Sequence, residues 1–147
     1  MIKISHRGNI CGPIENIENK PEYIDFAISQ GYDVEIDLRV SGGDLFLGHD
    51  EPEWNINLKW LRDRSKNLWI HAKDFDSLDV LGDTNLVYFF HDVERYVLIS
   101  NGLVWCHDIM NYNSMSIIPL ICREDVLKYK DYNSAHGICS DYVKYIV

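Results

Sequence analysis

The sequence predicts an α/β fold built on a parallel sheet, with its functional residues gathered at one end of that sheet. Three observations predict it. Short apolar runs of strand length alternate with short segments of helical periodicity, which is the pattern of βα units. Five of the six histidines (His6, His49, His71, His91 and His107) stand immediately after an apolar run, where a strand would end. A chain of 147 residues suits one domain with a real core, spanning 1–147, and is too short for two comfortable ones. In sheets of this kind ligands bind beyond the carboxyl ends of the strands. The histidines are therefore expected to share one rim with Glu35, Asp37, Lys73 and Asp141. One histidine closing a strand commonly just meets solvent; five in the same position argue for a site.

Taken in order, Met1 to Ser5 reads as an apolar strand ending on His6-Arg7-Gly8, followed by a polar loop with Gly12-Pro13 and Asn16. Lys20-Pro21-Glu22 reads as a helix start, with proline at the first helical position and an acid in the first turn. Ile24, Ala27 and Ile28 make its apolar stripe, and Gly31 is a good residue to end it. In the next strand Val34, Ile36, Leu38 and Val40 alternate with Glu35, Asp37 and Arg39. Period 2 puts Glu35 and Asp37 on one face, where two carboxylates repel unless a cation sits between them or both meet water. Ser41-Gly42-Gly43-Asp44 is turn chemistry, and a hairpin arm, Leu45 to Leu47, ends on Gly48-His49-Asp50.

Asn57 to Ser65 is weakly helical, with Leu58 and Leu61 on one side. Leu68 to Ile70 is a strand ending on His71-Ala72-Lys73, and Asp74 or Asp76 caps a helix through Leu78 and Leu81, closed by Gly82. Leu86 to Phe90 is a buried strand ending on His91-Asp92. Asp92 to Asn101 reads equally as one helical turn or as extended chain. Leu103 to Cys106 is a strand ending on His107-Asp108, and Ser116 to Cys122 another ending near Arg123 and Glu124. Asp125 to Asp131 reads as a short helix, and Gly137 to Ser140 as the last strand, ending on Asp141. Seven core strands result, besides the hairpin arm.

A formal charge of −9 without a basic run argues against nucleic-acid binding, which clustered Lys and Arg carry. No apolar run approaches membrane-spanning length, so no membrane insertion is expected. Cys11, Cys106, Cys122 and Cys139 form no CxxC pair and read as buried free thiols in a reducing cytoplasm. Trp54, Trp60, Trp69 and Trp105 read as core or covering aromatics. Cys106 and His107 are adjacent on a strand, so they point to opposite faces and make no dyad. His91 and His107 either line the pocket or pair with Asp92 and Asp108. Glu15 either orients Arg7, the favoured reading, or approaches a metal.

His6-Arg7-Gly8 closing the first strand, Glu15-Asn16, Glu35-x-Asp37, the Gly43-Asp44 turn, His49-Asp50 and the ending from Gly137 to Tyr142 resemble the glycerophosphodiester phosphodiesterase family. In its shortness the chain is similar to a small subgroup of that superfamily. The resemblance implies a reduced TIM-type (β/α) barrel with seven or eight parallel strands and shortened or missing helices. That fold is shared with phosphatidylinositol-specific phospholipase C and spider sphingomyelinase D. It implies a divalent cation, Mg²⁺ or Ca²⁺, on Glu35 and Asp37, with His6 and His49 as the acid/base pair and Arg7 on the phosphate. The family's third strand carries Glu-x-Lys where this chain has His71-Ala72-Lys73. Lys73 fits, and His71 as a third ligand admits Mn²⁺ or Zn²⁺ as well. The family's substrate-covering insertion after His49 is missing, and the chain is far shorter than an ordinary barrel of about 250 residues.

The expected activity is metal-dependent cleavage of a glycerophosphodiester or related phospholipid head group. It needs a base on the attacking hydroxyl, an acid on the leaving alkoxide and positive charge on the phosphoryl oxygens. His6 is assigned as base and His49 as acid, in either order, with Arg7, Lys73 and the metal supplying charge. His91 and His107 join Arg7 and Lys73 as substrate contacts. A reduced fold that binds a phosphorylated metabolite without turnover, or an unrelated metal hydrolase using the His-rich rim, are the alternatives. Apolar surface left by missing helices predicts a homodimer.

Overall fold

The computed structural model describes residues 1–128, 132 and 134–146. Ten strands form one sheet: β1 (Ile2–His6), β2 (Asp33–Ser41), β3 (Asp44–Leu47), β4 (Trp54–Ile56), β5 (Leu68–Ala72), β6 (Tyr88–Phe89), β7 (Tyr96–Leu98), β8 (Val104–Cys106), β9 (Ser116–Pro119) and β10 (Gly137–Ser140). Four short helices accompany them: α1 (Pro21–Ser29), α2 (Leu58–Asp63), α3 (Phe75–Gly82) and α4 (Arg123–Lys128), with a 3-10 turn at Val143–Tyr145. The Asp131 end of the expected last helix lies outside the described residues. No helix among the described residues is long and apolar enough to cross a membrane.

Parallel pairing runs from β6 through β5, β2, β1, β10 and β9 to β8. These are the seven core strands expected from the sequence. Antiparallel pairs β2–β3, β3–β4 and β7–β8 are built onto this ribbon. The result is a mixed, curled sheet, a half-barrel, and not the reduced TIM-type (β/α) barrel that the resemblance implied. The reason lies in the connections. A parallel return needs a crossover of a dozen or more residues, usually a helix. Between Phe89 and Val104 the chain instead spends Tyr96–Leu98 on an antiparallel strand, and no helix forms there. Between Cys106 and Ser116 there is again no helix. The segment after β7 touches β6 through one backbone bond, Ser100 N–H to the Tyr88 carbonyl (2.9 Å), with no ladder.

The sheet has two kinds of face. Its concave side packs Ile4, Trp69, Phe89, Val97, Ile99, Trp105, Ile117 and Cys139 into one cluster. Its other side packs Val34, Ile36, Leu38 and Ile70 against Ile24 and Ala27 of α1, Leu61 of α2 and Leu81 of α3. A third cluster joins Ile118, Leu120 and Ile138 to Val126 and Val143. The expected burial of Phe90 does not hold: its ring is exposed and stacks on Phe75. Of the four thiols expected to be buried, Cys106 and Cys139 are, but Cys11 and Cys122 sit on loops outside the strands and are exposed. The first three helices begin where the sequence says they should, while α4 starts at Arg123, two residues before the expected Asp125. Pro21 opens α1, Asn57 accepts from Trp60 N–H (2.9 Å), and Asp74 accepts from Ser77 N–H (2.8 Å).

The turn after β3 depends on one glycine. Gly48 has φ +154°, and a Cβ there would lie 2.0 Å from the Glu51 carbonyl oxygen. Arg39 grips the same turn, donating from Nε to the Gly48 and His49 carbonyls (3.1 Å each). Gly48→Ala is expected to cost about 1–3 kcal/mol, since only glycine tolerates this backbone region. Denaturant unfolding checks it; an unchanged midpoint would show that the turn relaxes freely.

Candidate functional site

Strand parity builds the site. On β1, Ile4 enters the concave core, so His6, two residues on, lies above it on the same face. The same step carries Cys139 to Asp141, Trp69 to His71, Phe89 to His91 and Trp105 to His107. Register then aligns them: His6 stands opposite Glu35, and Asp37 opposite His71. A polar layer thus caps the apolar concave cluster.

Glu35 and Asp37 are buried, at 2% and 0% exposure. Arg7 Nε lies 2.9 Å from Asp37 Oδ2, His71 Nδ1 3.2 Å from Asp37 Oδ1, and Lys73 Nζ 3.8 Å from the same oxygen. Asn19 clasps Asp37 twice: its amide donates to Oδ2 (2.9 Å) and its carbonyl accepts the Asp37 N–H (3.0 Å). Arg7 reaches back over the site because its backbone turns at φ +55°, followed by Gly8 at +91°. A Cβ on Gly8 would meet the Tyr23 ring at 2.6 Å. His6 Nδ1 lies 2.7 Å from Asp141 Oδ1, so that nitrogen carries a proton, and Nε2 faces Glu35 Oε2 at 3.8 Å. His49, half-buried, pairs with Asp50 (2.8 Å) and feels the charges of Arg7, Asp37 and Lys73. His71 stacks on His91 with ring centroids 4.5 Å apart, and His107 tilts against His91 at 4.9 Å.

Electrostatics separate these groups. Burial and the neighbouring Asp37 raise the Glu35 carboxyl above its usual range. For Asp37, burial acts the same way but is outweighed by His71 and Arg7, and its carboxyl is lowered. For His6, burial opposes the charge, yet the bond to Asp141 and the field of Glu35 win, and its pKa is raised. Burial and Arg7 lower His49. Burial, with His71 and His107 alongside, pushes His91 down to about 4. Burial and His71 lower His107 too.

The His91 value has a thermal consequence. A histidine whose folded pKa lies below its unfolded value of about 6.5 favours folding when neutral. That contribution is complete above pH 6.5 and is lost as pH falls through about 4. His91→Gln is expected to flatten the slope of Tm against pH between these values. A variant with the wild-type slope would contradict the assignment.

Among the described residues, Glu35, Asp37 and His71 place one ligand atom each within 4.8 Å of one another. The donor set suits a divalent cation. Two carboxylates and an imidazole converge, and buried Glu35 Oε2 has no hydrogen-bond partner. His6, Arg7, Glu35, Asp37, His71, Lys73 and Asp141 therefore come together, with His49 held beside them, and His91 and His107 join through a chain of ring contacts to His71. Asp108 is taken by Tyr96 and Asn111.

Glu15 is displaced from its predicted role: the carboxylate on Arg7 Nη1 is Glu18 (3.3 Å). Sequence reasoning also missed Asn19, Arg39 and Asn9. Fully buried Asn9 donates to Glu18 (2.7 Å) and to Asp141 (2.7 Å), and so braces the partners of both Arg7 and His6. The adjacent Gly8-Asn9 and the second Glu-Asn pair were the available signals.

Comparison with protein-family models, curated proteins and solved structures gives no match.

Proposed function

We propose that the protein is a metal-dependent phosphodiesterase that cleaves a glycerophosphodiester or a related phospholipid head group. What supports this reading is the meeting of two histidines, Arg7 and Lys73 around a buried carboxylate pair in one rim. Glu35, Asp37 and His71 would hold Mg²⁺ or Ca²⁺, or Mn²⁺ or Zn²⁺. When bound, such a cation polarises a phosphoryl oxygen and offsets developing negative charge. Arg7 and Lys73 add charge from the protein side and orient the phosphate.

Two groups with opposed pKa shifts are the natural acid and base. His49, kept neutral by burial and Arg7, takes the proton of the attacking hydroxyl. His6, favoured in its protonated form by Asp141 and Glu35, returns one to the leaving alkoxide. This is the reverse of the order first assigned. Asn9 and Asp141 hold the His6 ring so that Nε2 is the atom presented.

A cation favours the ionised form of Glu35, whose carboxyl burial and Asp37 raise, so metal affinity should rise with pH across the range where that carboxyl ionises. Calorimetric titration with Mg²⁺ and Mn²⁺ at two pH values reads this without turnover. Hydrolysis of bis-p-nitrophenyl phosphate against a series of divalent metals then tests the reaction. Metal binding without hydrolysis would favour the second reading, a fold that only binds a phosphorylated metabolite. His71, where the resembled family has a carboxylate, supports that reading. The reading also places the protein in the cytoplasm and as a homodimer, the latter checked by light scattering.

A further inference from the structure

A cavity of about 420 Å³ opens between the loop 10–14, helix α1 and the 3-10 turn, and none of the rim residues lines it. Its walls are apolar: Ile10, Pro13, Ile14, Phe26 and Tyr32. Ile14 and Phe26 stand 51% and 52% exposed. The chain carries 23 acidic residues against 14 basic ones, yet no carboxylate lines this cavity. Its one charged wall residue is Lys144, whose ammonium has no ion-pair partner among the described residues. The Lys144 N–H donates to the Ile10 carbonyl (3.1 Å), which roots the side chain at the cavity wall.

We propose that this cavity binds a small amphiphilic carboxylate, its apolar tail against Ile10, Ile14 and Phe26 and its charged end at Lys144. The size falls within the range of small-molecule sites, about 300–1,000 Å³. Covering half-exposed apolar side chains supplies the driving force. The sign of charge selects an anion, because a cation would meet Lys144 and no acid. Tyr23 separates the two sites: its ring lines the cavity, and its hydroxyl donates to Asn9 (3.3 Å) on the side of the polar rim. The bound carboxylate is thus a ligand apart from the phosphodiester.

The cysteines supply the test. Cys11 lines the cavity and is exposed, Cys122 is exposed outside it, and Cys106 and Cys139 are buried. Alkylation by iodoacetamide, read by peptide mass, gives the Cys11 to Cys122 labelling ratio. Decanoate at ten times its Kd is expected to lower that ratio roughly tenfold, by simple occupancy. Decanol should protect less, and Lys144→Glu, an exposed substitution, should erase the difference between the two. A ratio unmoved by decanoate up to its solubility would overturn the proposal. So would equal protection by decanol. Protection that grows with protein concentration alone would assign the face to a second copy of the chain and would likewise overturn it.

Discussion

Replacing His6 by alanine is expected to slow phosphodiester hydrolysis by about 10²–10⁴-fold, the usual worth of a positioned proton donor. His49→Ala should cost a similar factor. Neither substitution should unfold the protein. The His6 side chain touches Asp141 and Glu35, and Asp141 keeps the Asn9 bond when the imidazole is gone. The two variants should differ in their pH profiles. With His49 as base, lowered by burial and Arg7, loss of activity on acidification belongs to His49. With His6 as acid, raised by Asp141 and Glu35 against its burial, loss on alkalinisation belongs to His6. Each alanine variant should remove its own limb. Wild-type turnover in either variant would end the acid/base assignment.

Asp37→Ala is expected to be the most damaging single change to stability, about 3–5 kcal/mol, the cost of leaving buried charge without its partner. Asp37 is fully buried and answers Arg7, Lys73, His71 and Asn19 at once. Its removal leaves the Arg7 guanidinium with Glu18 and the more distant field of Glu35. Asp37→Asn keeps the shape and should cost less, yet both variants should lose metal binding in calorimetry. The pH sign follows from the lowered carboxyl. A group whose folded pKa is depressed stabilises fully above the ordinary carboxylate range, and that stability goes as acid protonates it. The wild type should therefore lose this contribution in strong acid, and Asp37→Ala should show no such loss. Urea denaturation across pH checks both; an Asp37→Ala midpoint equal to wild type would refute the role.

The rim was legible because its chemistry follows local rules. Alternation in Val34 to Val40 fixes which face Glu35 and Asp37 share, and the histidines mark strand ends. The curvature of the sheet was not legible. Tyr96–Leu98 pairs with Val104–Cys106 and Trp54–Ile56 with Asp44–Leu47, partners close along the chain, but strands of three residues carry too little periodicity to declare such hairpins. The loop after β1 shows a finer limit. Glu15-Asn16 and Glu18-Asn19 are alike in composition, and both asparagines adopt positive φ, +64° and +61°. Only the folded chain shows that Asn19 and Glu18 are the pair that reach Asp37 and Arg7. The TIM-type expectation failed for a related reason: the motif residues sit on β1, β2 and β10, which are parallel in either architecture.

The lone pair of an imidazole nitrogen lies in the plane of its ring. The His71 and His91 rings are within 4° of parallel, one above the other. Parallel planes never meet, so no single ion can sit on the axis of both. Whatever His71 coordinates, His91 is left outside that bond and serves instead as a flat aromatic surface that holds the plane of the His71 ring.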